Sequence, residues 1–382
     1  LFAVGGYGRG ELFPHSDIDL LVLAEPAAQQ QGETALARFN AMLWDAGLQV
    51  SMAVRSAQEC TQAAADITVV TALIEARPLC ANDADVARLA DAVSSGHVWP
   101  PARFFAEKCE EQRRRHARFG DTSDNLEPNL KDGPGGLRDL HLLGWLALRS
   151  FGARSLDQMI ELGRLGFDEA AALERERRAL CRFRYGLHLV AGRREERLRF
   201  DYQKPLAARL GDVDDADSLG VEKMMQRFYR SAAIVRRVGE RLLQRFEEYF
   251  AGIQPPEPLD TQFERRGDYL ATAVSGWLEA DPAHVFAMFA AWAATPGLRG
   301  LHSQTARELA LALPLIPAYD EAPASLREAF MQLLRGPQAV ATLERMARLG
   351  VLGRWIPAFQ RVSGRMQFDL FHVFTVDQHT LA

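Results

Sequence analysis

The run Gly5-Gly6-Tyr7-Gly8-Arg9-Gly10-Glu11-Leu12, followed at once by Ser16-Asp17-Ile18-Asp19-Leu20-Leu21-Val22, decides the fold of this chain. Ile18 to Leu23 is short, apolar and partly β-branched, so it reads as a buried strand whose side chains alternate between two faces. Alternation puts Asp17 and Asp19 on one face. Two ionised carboxylates that close repel unless a cation sits between them, and an oxygen-rich site with open positions suits Mg²⁺ shared with phosphate oxygens. Upstream, Phe2-Ala3-Val4 reads as the end of another strand running into Gly5-Gly6. There the missing side chains let backbone N–H groups approach a triphosphate, and Arg9 offers a charge-assisted contact to phosphate. Taken singly, the glycine cluster and the Asp-x-Asp pair are common, and the glycine spacing fits neither the Rossmann fingerprint nor the P-loop. In this order and spacing they point to metal-assisted transfer of a nucleotide.

Outward from that stretch, Glu33 to Ala46 has helical spacing, with Leu36, Phe39, Leu43 and Trp44 on one side and Gly47 as its stop. The helix is expected to cover the sheet, with Ala27 to Gln31 as a small loop before it. Leu48 to Val54 alternates again and predicts a third strand beside the acidic one. Ser56 with Glu59 reads as a capping box, and Asp66 as the N-cap of a helix opening at Ile67. Beyond Pro100-Pro101 strand alternation gives way to i, i+3, i+4 spacing, so the remainder is predicted helical. Ala170 to Gly192 and Val221 to Phe250 are the long members, and Asp121 to Gly136 is a glycine-rich loop. The patterns Tyr269–Glu279, 282–294, Ser303–Leu313, Ser325–Leu334 and Ala339–Leu349 predict five short helices.

A length of 382 residues, 48% of them hydrophobic, suits two or three domains with sizeable cores. The net charge of −5 speaks against a general nucleic-acid surface. Four cysteines lie far apart without metal-ligand spacing, which predicts reduced thiols, and no apolar run reaches membrane-spanning length. A cytoplasmic protein without a membrane partner is expected.

Gly-Gly-x-Gly-Arg-x-Glu-Leu followed by Ser-Asp-Ile-Asp-Leu resembles the signature of the nucleotidyltransferase superfamily, in wording similar to the bacterial PII-protein uridylyltransferases. Asn129-Leu130-Lys131-Asp132-Gly133-Pro134-Gly135-Gly136-Leu137-Arg138-Asp139-Leu140-His141 resembles a block shared by that family and the adenylyltransferases of glutamine synthetase. Phe371-His372-Val373-Phe374-Thr375-Val376-Asp377-Gln378-His379-Thr380-Leu381 resembles the opening of an HD phosphohydrolase domain, which the uridylyltransferases carry and the adenylyltransferases lack.

The resemblance implies an α/β nucleotidyltransferase domain, a small mixed sheet with flanking helices, followed by a large all-α region. The expected divisions are a catalytic domain over 1–100, a helical associated domain over 101–252, an α-helical connector over 253–367 and the start of an HD domain over 368–382. A chain that opens mid-strand is expected to lack its N-terminal end, and by the family pattern most of the HD domain and the C-terminal regulatory domains. The implied activity is Mg²⁺-dependent transfer of UMP from UTP to a tyrosine of the PII protein. Glutamine acts as regulator in the family, and the HD domain removes the uridylyl group.

By the same resemblance, Asp17 and Asp19 are the catalytic and metal residues. Gly5, Gly6, Arg9, Ser16, Gly135, Gly136 and Arg138 attend the nucleotide, with a rigid connector as the other reading of the 133–136 glycines. His379, ahead of His372, is the candidate first ligand of the HD metal, although a lone imidazole also reads as an ordinary solvated residue. Gln49 stands where similar proteins often carry Glu, and an amide is no general base. A third carboxylate would then come from elsewhere, with Asp66 and Glu75 nearest. Two alternatives remain open: an adenylyltransferase acting on glutamine synthetase, and a degenerate nucleotide-binding regulatory module. Gly192-Arg193-Arg194 with Arg197 and Gln203 resembles a basic patch of the family.

Overall fold

The computed structural model describes residues 1–123, 125–281, 283–368 and 375–381. The chain builds an N-terminal α/β unit followed by a largely helical body. Strands β1 (Phe2–Ala3), β2 (Ile18–Leu23), β3 (Val50–Arg55) and β4 (Arg77–Pro78) form one mixed sheet in the order β3-β2-β1-β4. β1 runs antiparallel to β2, and β2 runs parallel to β3 with Asp19 opposite Ser51. Between β1 and β2 lies the one-turn helix α1 (Gly5–Gly8).

Helix α2 covers Pro26–Asp45, longer than the expected Glu33–Ala46. Pro26 pre-sets the first turn, and the Ala27–Gln31 segment consists of good helix formers rather than loop residues. None of its residues is buried, and Met42 and Trp44 remain exposed, so it covers the sheet only loosely. Gly47, at φ +79°, provides the left-handed stop. Helices α3 (Ala57–Ala63) and α4 (Ile67–Ile74) follow, capped by Ser56 with Glu59 and by Asp66 as their sequences predict. Leu21 and Leu23 of β2 pack with Val70 and Leu73 of α4 in one core. Asp17 and Asp19 continue the same alternation at the open N-terminal end of the strand.

After α5 (Asp83–Ala92), the helical body comprises α6 (Pro101–Ala117), α7 (Leu137–Phe151), α8 (Leu156–Glu161), α9 (Phe167–Ala191), α10 (Phe200–Leu210) and α11 (Gly220–Ala251). The first unit does not stand apart from it. Phe2, Val4, Leu21 and Leu73 share a hydrophobic core with Trp145 and Leu146 of α7 and with Leu242 and Phe246 of α11. A second core, under the 126–137 loop, joins Leu130, Leu137, Phe183, Leu187, Met224 and Phe228.

The third region has its own core, from Phe263 to Trp355. Here the structure corrects one expectation. Tyr269–Glu279 is not one helix: Phe263–Arg266 and Tyr269–Thr272 form a hairpin, flanked by Glu257–Pro258 and Gly300–Leu301 in a second four-stranded sheet, and helix resumes only at Trp277–Ala280. The reason is the two-residue Gly267-Asp268 link, with Gly267 at φ +57°, a hairpin turn that outweighs the weak helical spacing beyond it. Helices at His284–Ala294, Ser303–Ala312, Ala324–Arg335 and Ala339–Leu349 match the other four patterns. No helix among the described residues is long and apolar enough to cross a membrane.

Candidate active site

The glycine turn and the acidic strand meet. The Val4 N–H donates to the Asp19 carbonyl at 3.0 Å, which sets the start of α1 level with the acidic end of β2. Gly5 has φ +55°, and a Cβ built on it would lie 3.2 Å from Asp19 Oδ2. A side chain there would be strained and would press on the carboxylate. The first N–H groups of α1, beginning at Gly5 and Gly6, have no intrahelical acceptors.

Burial, then the negative charge of Asp17, holds Asp19 above the ordinary aspartate range, while Arg194, Lys131 and Arg9 pull the other way. Asp17 is more exposed and pairs with Arg194. Two mutually repelling carboxylates, one of them penalised for ionising, form a donor set that fits a divalent cation. Gln49 immediately precedes β3, and its carbonyl accepts from the Ile18 N–H at 2.8 Å, next to Asp17.

The other glycines of the first run serve packing. A Cβ on Gly8 would overlap the Glu75 carbonyl oxygen. Arg9, expected at the phosphates, is engaged instead by Glu11 (Nε to Oε2, 3.2 Å) and by Glu75, with its guanidinium 6.0 Å from the Trp145 ring. Burial pushes Glu75 up to about 7, against the pull of Arg9 and of the Trp145 indole N–H that donates to it. Glu75 is therefore tied to Arg9 rather than added to the acidic pair. His141 donates from Nε2 to Glu11 at 2.7 Å. Burial takes His141 down to about 4, so it is neutral near pH 7. Burial also acts to raise Glu11, yet His141 and Arg9 together bring it down to about 2. Asp66 caps α4, its carboxylate accepting from the Thr68 N–H at 2.7 Å, and Ser16 Oγ accepts from the Phe13 N–H at 3.1 Å in the turn before β2.

The second block folds as a closed strap. Asn129 Oδ1 accepts from the N–H groups of Lys131 (3.0 Å) and Asp132 (2.7 Å), while Leu137 N–H returns to the Leu130 carbonyl and Arg138 N–H to the Lys131 carbonyl. Gly135 and Gly136 lie inside the strap. A Cβ on Gly135, at φ +75°, would overlap the Ala232 carbonyl of α11, and one on Gly136 would crowd the Lys131, Gly133 and Leu130 carbonyls. Their bareness is used by chain packing.

Asp139, 4% exposed, anchors the strap. It accepts from Gly135 N–H (2.7 Å), Arg115 Nη2 (2.6 Å), Gln112 Nε2 (3.0 Å) and His116 Nε2 (3.0 Å). Burial opposes its charge, but His116 and Arg115 bring it down to about 2. Arg138 pairs loosely with Asp132 at 3.4 Å and lies 5.5 Å from the Trp145 ring.

What sequence reasoning passed over is Lys131, quoted within the block but given no role, which the strap brings into the electrostatic field of Asp19. A lysine inside an Asx turn ahead of a glycine-rich stop was the available signal. Arg194 arrives from the basic patch because residues 128–130 pair with 196–198: Leu130 N–H donates to the Glu196 carbonyl and Leu198 N–H to the Pro128 carbonyl, both at 2.8 Å.

His379 is exposed on the helix Val376–Leu381, and among the described residues no group of three His, Cys, Asp or Glu side chains is gathered for a metal. His372, with residues 369–374, lies outside the described residues.

A glycine turn set against an Asp-x-Asp strand in a small mixed sheet defines a nucleotidyltransferase domain, and a nucleotidyltransferase family model matches residues 1–71. The GlnD PII-uridylyltransferase model matches residues 103–243, and the uridylyltransferase GlnD third-domain model matches 263–355. A "Bifunctional uridylyltransferase/uridylyl-removing enzyme" of Xanthomonas euvesicatoria pv. vesicatoria is 65% identical over 381 residues, covering 100% of this chain and 44% of the relative. One of the same description from Pseudomonas aeruginosa is 40% identical over 388 residues, covering 43% of the relative. The chain belongs to this bacterial uridylyltransferase/uridylyl-removing family and spans less than half the length of the curated relatives it matches.

Proposed function

We propose that this chain carries the uridylyltransferase half of such a protein: transfer of UMP from UTP to a tyrosine hydroxyl of the PII protein, with release of pyrophosphate, in the cytoplasm. The observation that carries the reading is the contact of Gly5 with the Asp19 carboxylate beside Asp17. Family membership supports the choice of uridylyl donor and PII acceptor. Asp17 and Asp19 would hold Mg²⁺, which when bound neutralises phosphate charge and favours displacement at the α-phosphorus. The α1 turn presents backbone N–H groups to the triphosphate, and Gly5 keeps the approach to Asp19 open. Arg9, through Glu11 and Glu75, stiffens that turn from behind. Gln49, beside Asp17, is an amide and no base, so the two-carboxylate centre works by positioning the acceptor hydroxyl and neutralising phosphate charge. Glutamine control and uridylyl removal are assigned to parts of the protein beyond the two-carboxylate site.

The test incubates the intact protein with labelled UTP, Mg²⁺ and PII, beside Asp19→Asn. Labelling of PII should fall at least a hundredfold in the variant, since the pair loses a charge needed to hold the metal. Equal labelling by both forms would refute the site. Thermal stabilisation by ATP in preference to UTP would favour the glutamine synthetase adenylyltransferase reading.

A further inference from the structure

Lys131 and Arg194 both act on the charge of Asp19, with Arg138 and Arg184 lying near Lys131 in turn, and three of these four cations have carboxylate partners: Arg194 with Asp17, Arg184 with Glu196 and Arg138 with Asp132. The fourth, Lys131, makes no side-chain hydrogen bond or ion pair among the described residues. Its backbone, by contrast, is fixed on every side. Asn129 Oδ1 accepts its N–H, Arg138 N–H donates to its carbonyl, and the strap that carries it is pinned through Gly135 to the buried Asp139. A half-buried ammonium on a rigid strap, with Glu196 and Asp132 acting on it only from a distance and no carboxylate in ion-pair contact among the described residues, is better compensated when an anion arrives. Desolvation, then the neighbouring Arg138, lowers its pKa, in keeping with that vacancy of charge.

We propose that Lys131 is a substrate-binding residue that takes the phosphate chain of the nucleoside triphosphate. The inference rests on the nucleotidyltransferase reading of Asp17 and Asp19 and adds a residue that neither glycine run nor acidic pair supplies. Charge bookkeeping supports a polyphosphate over a monoanion. When a divalent cation occupies the two aspartates, Arg194 loses Asp17 as its partner and keeps only Glu196 at 3.9 Å, which leaves Lys131 and a weakly compensated Arg194 as the two cations acting at Asp19. A triphosphate matches that excess; a nucleoside does not. Lys131 reaches the site from the second block while Gly5 reaches it from the first, so the two motifs meet on one ligand although 126 positions separate them.

The experiment measures equilibrium binding of UTP, UMP and uridine in Mg²⁺ to the intact protein, to Lys131→Met and to Lys131→Arg. Lys131→Met keeps the aliphatic stem and removes a desolvated charge, so its unliganded melting midpoint should equal or exceed that of the parent. UTP affinity should fall about ten- to hundredfold, the loss expected for one charge-assisted hydrogen bond, with uridine affinity within twofold of the parent. Lys131→Arg should recover most of the UTP affinity. Unchanged UTP binding in Lys131→Met, or equal loss of UTP and uridine, would overturn the proposal. If the parent binds ATP and not UTP, the uridylyl assignment fails on its own, and the same comparison with ATP and adenosine still decides the role of Lys131.

Discussion

Asp139→Asn is the most searching test of how the second block works. The parent carboxylate is 4% exposed and neutralises Arg115, itself buried, which also donates to the Asp132 carbonyl at 2.7 Å. An amide of the same shape leaves the guanidinium uncompensated and turns one acceptor into a donor facing Arg115, His116 and Gln112. Removing one partner of a buried pair costs about 3–5 kcal/mol. For a helical body of this size that lowers the melting midpoint by about 6–20 °C. The pH dependence gives an independent estimate. A carboxyl brought from 3.8 to about 2 contributes stability present above its unfolded pKa and lost as pH falls through the folded one. It is worth about 2 kcal/mol, withdrawn between about pH 4 and pH 2. Titration costs less than mutation because the protonated acid keeps its volume and its acceptors. Thermal melts from pH 7 down to pH 2.5 should show a deep drop at neutral pH for Asp139→Asn and a flatter acid limb than the parent. Adding Arg115→Met should recover part of the loss, as coupled partners do. A variant melting within a degree or two of the parent, with the same acid limb, would show that Asp139 does not hold the strap.

Gly135→Ala should destabilise by about 3 kcal/mol, from left-handed strain and overlap with the Ala232 carbonyl. Gly211→Ala, at φ +87° with nothing within 4 Å of its Cβ, should cost only about 1 kcal/mol; equal denaturant midpoints would sink the packing account. Glu75 is raised to about 7 by burial, so its contribution to stability is complete below about pH 4.5 and declines as pH rises through 7. Glu75→Gln should therefore flatten the fall of the melting midpoint between pH 5 and pH 8, and parallel profiles would contradict it. Arg194→Ala should change stability by less than about 1 kcal/mol, since its pair with Asp17 is exposed, and a larger loss in urea denaturation would mark it as structural.

Much of the site was legible because it is written in neighbouring residues. A two-residue period places Asp17 and Asp19 together, and bare Gly5-Gly6 after an apolar triplet marks a turn that backbone can approach closely. Caps at Ser56 and Asp66 and the left-handed stop at Gly47 are equally local, as are the long amphipathic helices. The hairpin at 263–272 was legible too, in Gly267-Asp268, but helical spacing beyond it pointed the other way.

Partnerships across the chain could not be read in this manner. That Glu75, 66 positions away, holds the Arg9 guanidinium is nowhere visible in the residues around Arg9. That α11 packs against Gly135, and the strap's own carbonyls against Gly136, is equally invisible in the local sequence. Lys131 and Arg194 acquire meaning only when the strap at 128–130 pairs with 196–198 and brings both to the acidic strand. Residue periodicity extends over two to four positions and is set by backbone geometry, whereas the choice of counter-charge depends on which elements the hydrophobic cores bring side by side. The sequence by itself determined the strand, the turn and the paired acids; the tertiary structure decided which cations answer to them.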